Sequence, residues 1–235
     1  DSGVSVSLSG DGSVVAIGAW KNDGNGNDSG HVRIYQNVNG TWAKIGDDID
    51  GEAEGDYSGL PVSLSSDGSV VAIGAHKNDG NGNDSGHVRV YRNVNGTWTQ
   101  IGDDIDGEAS GDDSGVSVSL SGDGSVVAIG AWKNDGNGND SGHVRVYQYA
   151  NSTWTQIGDD IDGEASSDVS GYLVSLSSDG SVVAIGAMLN DGNNNSAYIG
   201  HVRVYQYANS AWSKIVADID GEAQSDWSGA SVSLS

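Results

Sequence analysis

The chain has 235 residues, and 33 acidic side chains against 10 basic ones give it a formal charge of −23. A surface of that sign repels phosphate backbones instead of releasing their counterions, so nucleic acid is excluded as an expected partner. There is no cysteine for a disulfide framework or a thiolate metal site, and no apolar stretch of 18 residues for membrane insertion.

With 37 glycines, one proline and no long helix-forming run, the composition predicts short strands joined by tight turns. Run a spans Val4 to Ser9, with Val4, Val6 and Leu8 on one face and serines on the other. Run b, Ser13 to Ala19, is continuously apolar and small, as suits a strand covered on both faces. Run c, His31 to Gln36, alternates Val32 and Ile34 with His31, Arg33 and Tyr35. Run d, Thr41 to Ile45, carries Trp42 and Lys44 and reads as the more polar outer edge. Asp11-Gly12 between a and b and Asn39-Gly40 between c and d are hairpin dipeptides that tolerate positive φ. Asn151-Ser152 and Asn209-Ser210 replace Asn-Gly in later copies but keep the asparagine.

The four runs then start again. Ser-Gly ahead of run a recurs at Ser2, Ser58, Ser114, Ser170 and Ser228, in steps of 56, 56, 56 and 58 residues. This defines one repeat domain, 1–235, with repeats at 1–56, 57–112, 113–168 and 169–226 and a partial fifth at 227–235. Four-stranded antiparallel units repeated head to tail predict an all-β fold, a β-propeller or a propeller fragment. The hairpin signals argue against a β-solenoid of parallel coils. Runs b, c and d occur four times but run a five times, which leads us to expect an excerpt of a longer array or a ring completed by a second copy, with self-association through open blade edges.

Three blocks in each repeat carry a resemblance: Ser-Gly-x-x-Val-Ser-Leu-Ser, then Val-Ala-Ile-Gly-Ala at Val15 to Ala19, then Gly-His-Val-Arg-Ile-Tyr at Gly30 to Tyr35. In these the chain resembles the FG-GAP repeat family, the blades of integrin α-subunit propellers and of secreted microbial and algal repeat proteins. The resemblance implies an extracellular or cell-surface adhesion module. Two features depart from it. The chain has no Phe, and the proline expected after Gly-Ala is replaced by Trp20, His76, Trp132 and Met188. The calcium loop that some members carry between the first two strands is absent, because Ser9 to Gly12 is too short to encircle an ion.

Calcium is nevertheless a candidate cofactor in the loop between b and c, where side-chain oxygens fall at alternate positions, as hard cations prefer. The residues are Asp23, Asn25, Asn27 and Asp28, then Asp79, Asn81, Asn83 and Asp84, then Asp135, Asn137, Asn139 and Asp140. The fourth copy decays to Asp191, Asn193 and Asn195. A plain polar turn without an ion is the competing reading. The acidic segment Asp47 to Glu52, leading to Asp56, reads as a solvated linker between blades, with cation binding as its alternative. His31, His87, His143 and His201 recur at one place in run c and read as structural groups, with Arg33, Arg89, Arg145 and Arg203 paired to acids of neighbouring loops. Asn-x-Ser/Thr acceptors stand at Asn27, Asn39, Asn83, Asn95, Asn139, Asn151 and Asn194.

No nucleophile–base set appears, so no enzyme activity is expected. The repeats serve as their own alignment, and two positions escape their near-identity. One reads Trp20, His76, Trp132 and Met188; the other reads Val4, Leu60, Val116 and Tyr172, with Ala230 in the partial fifth repeat. Both flank strand ends and should meet on one rim, as stacking platforms for a protein or glycan ligand or as packing between blades. The expected function is adhesion or recognition; a purely architectural repeat is the alternative.

Overall fold

The computed structural model describes residues 2–192 and 198–235. Among these, the chain forms twenty strands and no α-helix. The first repeat holds β1 (Val6–Leu8), β2 (Val14–Ala19), β3 (His31–Val38), β4 (Thr41–Lys44) and β5 (Ile49–Asp50). The second holds β6 (Val62–Leu64), β7 (Val70–Ala75), β8 (His87–Val94), β9 (Thr97–Gln100) and β10 (Ile105–Asp106). In the third are β11 (Ser117–Leu120), β12 (Val126–Ala131), β13 (His143–Ala150), β14 (Thr153–Gln156) and β15 (Ile161–Asp162). The fourth contains β16 (Leu173–Leu176), β17 (Val182–Ala187), β18 (His201–Ala208), β19 (Ala211–Lys214) and β20 (Ile219–Asp220).

Each repeat is a separate antiparallel sheet in the order a, b, c, d, with one register throughout: Ala19 faces His31, Ala75 faces His87, Ala131 faces His143 and Ala187 faces His201. The c–d hairpins turn as their dipeptides require. Asn39 and Gly40 have φ of 52° and 85°, and Asn151 and Ser152 have 52° and 66°, the two positive values of a type I′ turn. Run c is longer than expected and ends at Val38.

The acidic segment between blades differs from its expectation as a solvated linker. Ile49 and Asp50 pair with Val32 and His31, so the outer strand is interrupted at Gly46 and resumes on the same neighbour. The cause is a hidden alternation. Ile49, Ile105 and Ile161 are buried against the next blade, while Asp50, Asp106 and Asp162 stay exposed.

The core lies between blades. Val14, Ala16, Val32, Ile34 and Ile49 of the first blade pack on Val62, Leu64, Val71 and Ile73 of the second, and the pattern recurs at the next two seams. At about 1.5–3 kcal/mol per fully buried aliphatic side chain, these seams supply most of the gross stabilisation. The serines of run a stitch the inner strands together. Ser5 and Ser7 accept from the backbone N–H groups of Val62 and Leu64 at 2.9 Å, Ser63 from Leu120 at 3.0 Å and Ser119 from Leu176 at 2.9 Å. The partial fifth repeat continues the series, with Leu234 N–H donating to Ser175 at 3.0 Å. Run b needs its glycine for this close approach, since a Cβ on Gly18 would lie 1.9 Å from the Gly59 carbonyl oxygen. Outside the seams, Val6 and Leu8 of the first blade and Ile219 of the fourth remain exposed, so the fourth blade does not cover the first.

Candidate functional site

The b–c loops spend much of their polarity on the fold. Asp23 Oδ1 accepts the Asp28 N–H at 2.8 Å, and Asp79 and Asp135 do the same for Asp84 and Asp140. Asn25 donates through Nδ2 to the carbonyls of Gly51 and Glu52 at 2.8 and 3.0 Å, and Asn81 and Asn137 pin the later linkers in the same way. Asp28, Asp84 and Asp140 adopt positive φ. Asn27 and Asn83 are exposed, and Asn139 donates to Asp140 at 2.7 Å. Asn193, Asn194 and Asn195 lie outside the described residues.

The two repeat-divergent positions meet where run a begins and run b ends. Antiparallel pairing puts those points at the same end of every blade, so both sets open onto one rim. Leu60, Val116 and Tyr172 join His76 and Trp132 in a cleft of about 410 Å³ that spans the second to fourth blades. Trp132 meets Tyr172 edge-on, with ring centroids 5.9 Å apart. Trp20 lies one blade away, edge-on to Tyr57 at 4.8 Å, and half-buried Met188 holds the equivalent place in the fourth blade.

The polar centre of this cleft is Asp113, which the sequence reading did not single out. It is 1 % exposed and accepts from Lys77 Nζ and Lys133 Nζ, both at 2.9 Å, and from Trp132 Nε1 at 3.1 Å. Lys133 also lies over the Trp132 ring, 4.8 Å from its centroid. Burial holds the His76 imidazole below its ordinary pKa despite the attraction of Asp113, so the ring is neutral at pH 7. The signal for Asp113 was present in the repeats, whose residue before Ser-Gly reads Tyr57, Asp113, Val169 and Trp227. All four have φ between 52° and 59°, a costly conformation for a β-branched residue such as Val169.

A second set of polar groups lies on the seams. Glu52, His87 and Asp104 converge between the first two blades, Glu108, His143 and Asp160 between the next two, and Glu164, His201 and Asp218 at the last. In each set the three nearest ligand atoms lie within 4.8 Å of one another, close enough to hold a metal ion. Arg89, Arg145 and Arg203 bridge the same seams: Arg89 donates to the Asp50 carbonyl at 2.8 Å and lies 3.4 Å from Glu52, and Arg145 and Arg203 reach the carbonyls of Asp106 and Asp162. Burial lowers the pKa of His87 and His143 to about 4, with Arg89 and Arg145 adding to the effect. His87, His143 and His201 thus lie within the seams, each between a glutamate of the preceding blade and an aspartate of its own, whereas Arg33 of the first blade is exposed and pairs with Asp48 of its own blade at 2.9 Å.

Four antiparallel blades, stitched at their inner strands and carrying their variation on one rim, define a repeat protein of β-propeller architecture. The FG-GAP repeat model matches residues 105–147, from β10 into β13. The chain therefore carries an FG-GAP repeat there, in the blocks that bore the resemblance. No curated protein matches the chain. Among solved structures it is similar to a protein of Bacteroides uniformis provisionally named a 6-phosphogluconolactonase, at 12% identity and a TM-score of 0.62 over 94% of this chain and 55% of that one. It is also similar to the periplasmic gluconolactonase of Pseudomonas aeruginosa, at 16% identity and a TM-score of 0.56 over 92% and 56%. A third similar structure is KlAtg21 in complex with the coiled coil of AgAtg16, at 10% identity and a TM-score of 0.60 over 92% and 57%. The chain spans little more than half the length of each. Identities this low show a shared fold alone, and that fold carries lactonases and a coiled-coil binder alike.

Proposed function

We propose that this protein is a non-enzymatic, extracellular recognition module that binds a protein or glycan ligand in the rim cleft of its second to fourth blades. The observation that supports this reading is the gathering of repeat-divergent residues. Positions 60, 116 and 172, 76 and 132, and Asp113 share one cleft, while the seam residues beneath them recur nearly unchanged. Trp132 and Tyr172 offer apolar ring surface, and Asp113, Lys77 and Lys133 offer a fixed set of charges beside it. The extracellular placement rests on the FG-GAP likeness; no helix among the described residues is long and apolar enough to cross a membrane. Calcium enters the proposal at the b–c loops, where Asp23, Asp79 and Asp135 each engage only one carboxylate oxygen in the Asx contact described above.

A glycan array, read beside binding to candidate surface proteins, tests the cleft. Binding that is lost in Trp132→Ala with Tyr172→Ala supports the proposal, whereas binding unaffected by that pair removes the cleft from it. If no ligand binds, the architectural reading gains, since the exposed faces at Val6, Leu8 and Ile219 suit a stacked array. For calcium, the metal-stripped protein should melt at a higher temperature when calcium is added, by the linkage of ligand binding to the native state. Asp23→Ala, Asp79→Ala and Asp135→Ala together should remove that rise.

A further inference from the structure

The rim reading makes no use of the seam clusters, and their construction singles out two of the three. At the first seam His87 is 1 % exposed. Among the described residues its Nε2 has no partner, and its Nδ1 faces Glu52 Oε2 and Asp104 Oδ2, each at 3.8 Å and beyond hydrogen-bond reach. The far oxygens of both carboxylates are already held. Arg89 lies 3.4 Å from Glu52 Oε1, and Gln100 Nε2 donates to Asp104 Oδ1 at 2.6 Å. Asn25 fixes the backbone carbonyl of Glu52 from below. One oxygen of each acid and the imidazole Nδ1 are thereby left facing one another, all three within 4.8 Å. Arg89 and Gln100 thus orient the two acids, as supporting groups around a metal orient its carboxylate ligands.

The next seam repeats the arrangement. His143 Nδ1 stands 3.8 Å from Glu108 and 3.7 Å from Asp160, and Gln156 Nε2 donates to Asp160 Oδ1 at 2.6 Å. The third seam differs at one residue. Where the second and third blades have Gln100 and Gln156, the fourth has Lys214, whose Nζ lies 2.8 Å from Asp218 and 3.9 Å from Glu164. With the neutral imidazole, the first two clusters hold two carboxylates against one guanidinium and are left with one negative charge. The third is neutral, because an ammonium already occupies the cation's role. In the first blade Lys44 pairs with Asp48 at 2.7 Å.

We propose that Glu52, His87 and Asp104 bind one divalent transition-metal ion of the zinc class, that Glu108, His143 and Asp160 bind a second, and that the Lys214 seam binds none. A neutral buried imidazole with two carboxylates is a donor set for zinc and its neighbours, whereas calcium takes six to eight oxygens. Donors around such an ion at ~2.0–2.1 Å stand about 3.3 Å apart in a tetrahedron, so each histidine–carboxylate pair need close by about half an ångström, and the two carboxylates, within 4.8 Å of the imidazole and of each other, close onto the ion by side-chain rotation. Water completes the coordination. The ion would join consecutive blades, since Glu52 and Glu108 come from the blade before the one that supplies histidine and aspartate.

The test is calorimetric titration of the metal-stripped full chain with zinc chloride, with calcium chloride as a parallel arm. The expected result is two zinc ions per chain, with calcium failing to displace them. Glu52→Gln with Glu108→Gln should abolish uptake at both sites; these side chains are 43% and 44% exposed, so the fold tolerates the change, as an unchanged circular dichroism spectrum would verify. Gln100→Lys should leave one ion, and Lys214→Gln should raise the count to three. Absence of zinc binding by the parent, uptake that survives the double glutamine variant, or a count unmoved by both lysine exchanges would overturn the proposal.

Discussion

Trp154 and Trp132 belong to the same repeat, and the fold uses them in opposite ways. Trp154 is 9 % exposed, donates to the Ile101 carbonyl at 2.8 Å and closes over Gly102, where an added Cβ would meet its ring at 2.6 Å. Trp132 is half-buried at the rim and donates to a side chain, Asp113. The equivalents of Trp154 are all tryptophan, at 42, 98 and 212, whereas the equivalents of Trp132 are Trp20, His76 and Met188. The lesson is that the constraint lies in the partner. At 98, 154 and 212 the tryptophan covers a backbone glycine of the preceding blade, where another shape would leave a gap; Trp42 keeps the residue type at the open first blade. A tryptophan whose partner is a variable side chain is free to change with it.

The first way to separate the two regions is acid, because the imidazoles with a large depression, His87 and His143, belong to the seams, while the rim's His76 is lowered in the same direction by less. The folded pKa values of His87 and His143, about 4, lie below the ordinary 6.5, so the unfolded chain takes up their protons first as pH falls. Their contribution is complete above pH 6.5 and is lost as pH drops through about 4, worth roughly 3 kcal/mol per histidine. Urea unfolding of the metal-free protein between pH 7 and 4 should follow that course, and His87→Gln with His143→Gln should flatten it. Next in size, Trp154→Ala is expected to cost about 3–5 kcal/mol through its cavity and its lost bond to Ile101. The same change at Trp42, which is 46% exposed with no preceding blade beneath it, should cost under about 1 kcal/mol. Smallest in stability is Trp20→Ala with Trp132→Ala, which should shift unfolding by only about 0.5–1 kcal/mol and yet remove ligand binding. A loss comparable to that of Trp154→Ala would place the rim tryptophans among the packing residues and break the comparison.

Much of the blade was legible in advance. The alternation of Val6 and Leu8 with serines, the unbroken apolar run Val14–Ala19 and the Asn-Gly turns act through local backbone preference and strand periodicity, so the four runs were found within a few residues of their ends. The outer strand was misread as a linker at Ile49–Asp50, because two residues are too few to show a period among so many acids. On the rim, comparison of the repeats found His76, Trp132 and Tyr172 but passed over Asp113, whose importance comes from two lysines, one on each of two blades.

The sequence by itself determined the repeat, the strand order and the positions at which blades differ, since each of these follows from spacing and composition along one chain. Only the tertiary structure decided what meets across a seam. Glu52 lies 35 residues before His87, and Asp104 lies 17 after it, and no local periodicity relates the three. Their meeting depends on the angle at which one sheet stacks on the next, which the packed apolar faces set. The single exchange of glutamine for lysine at 214 acquires meaning in the same way, because its charge matters only beside the two carboxylates that the stacking brings to it.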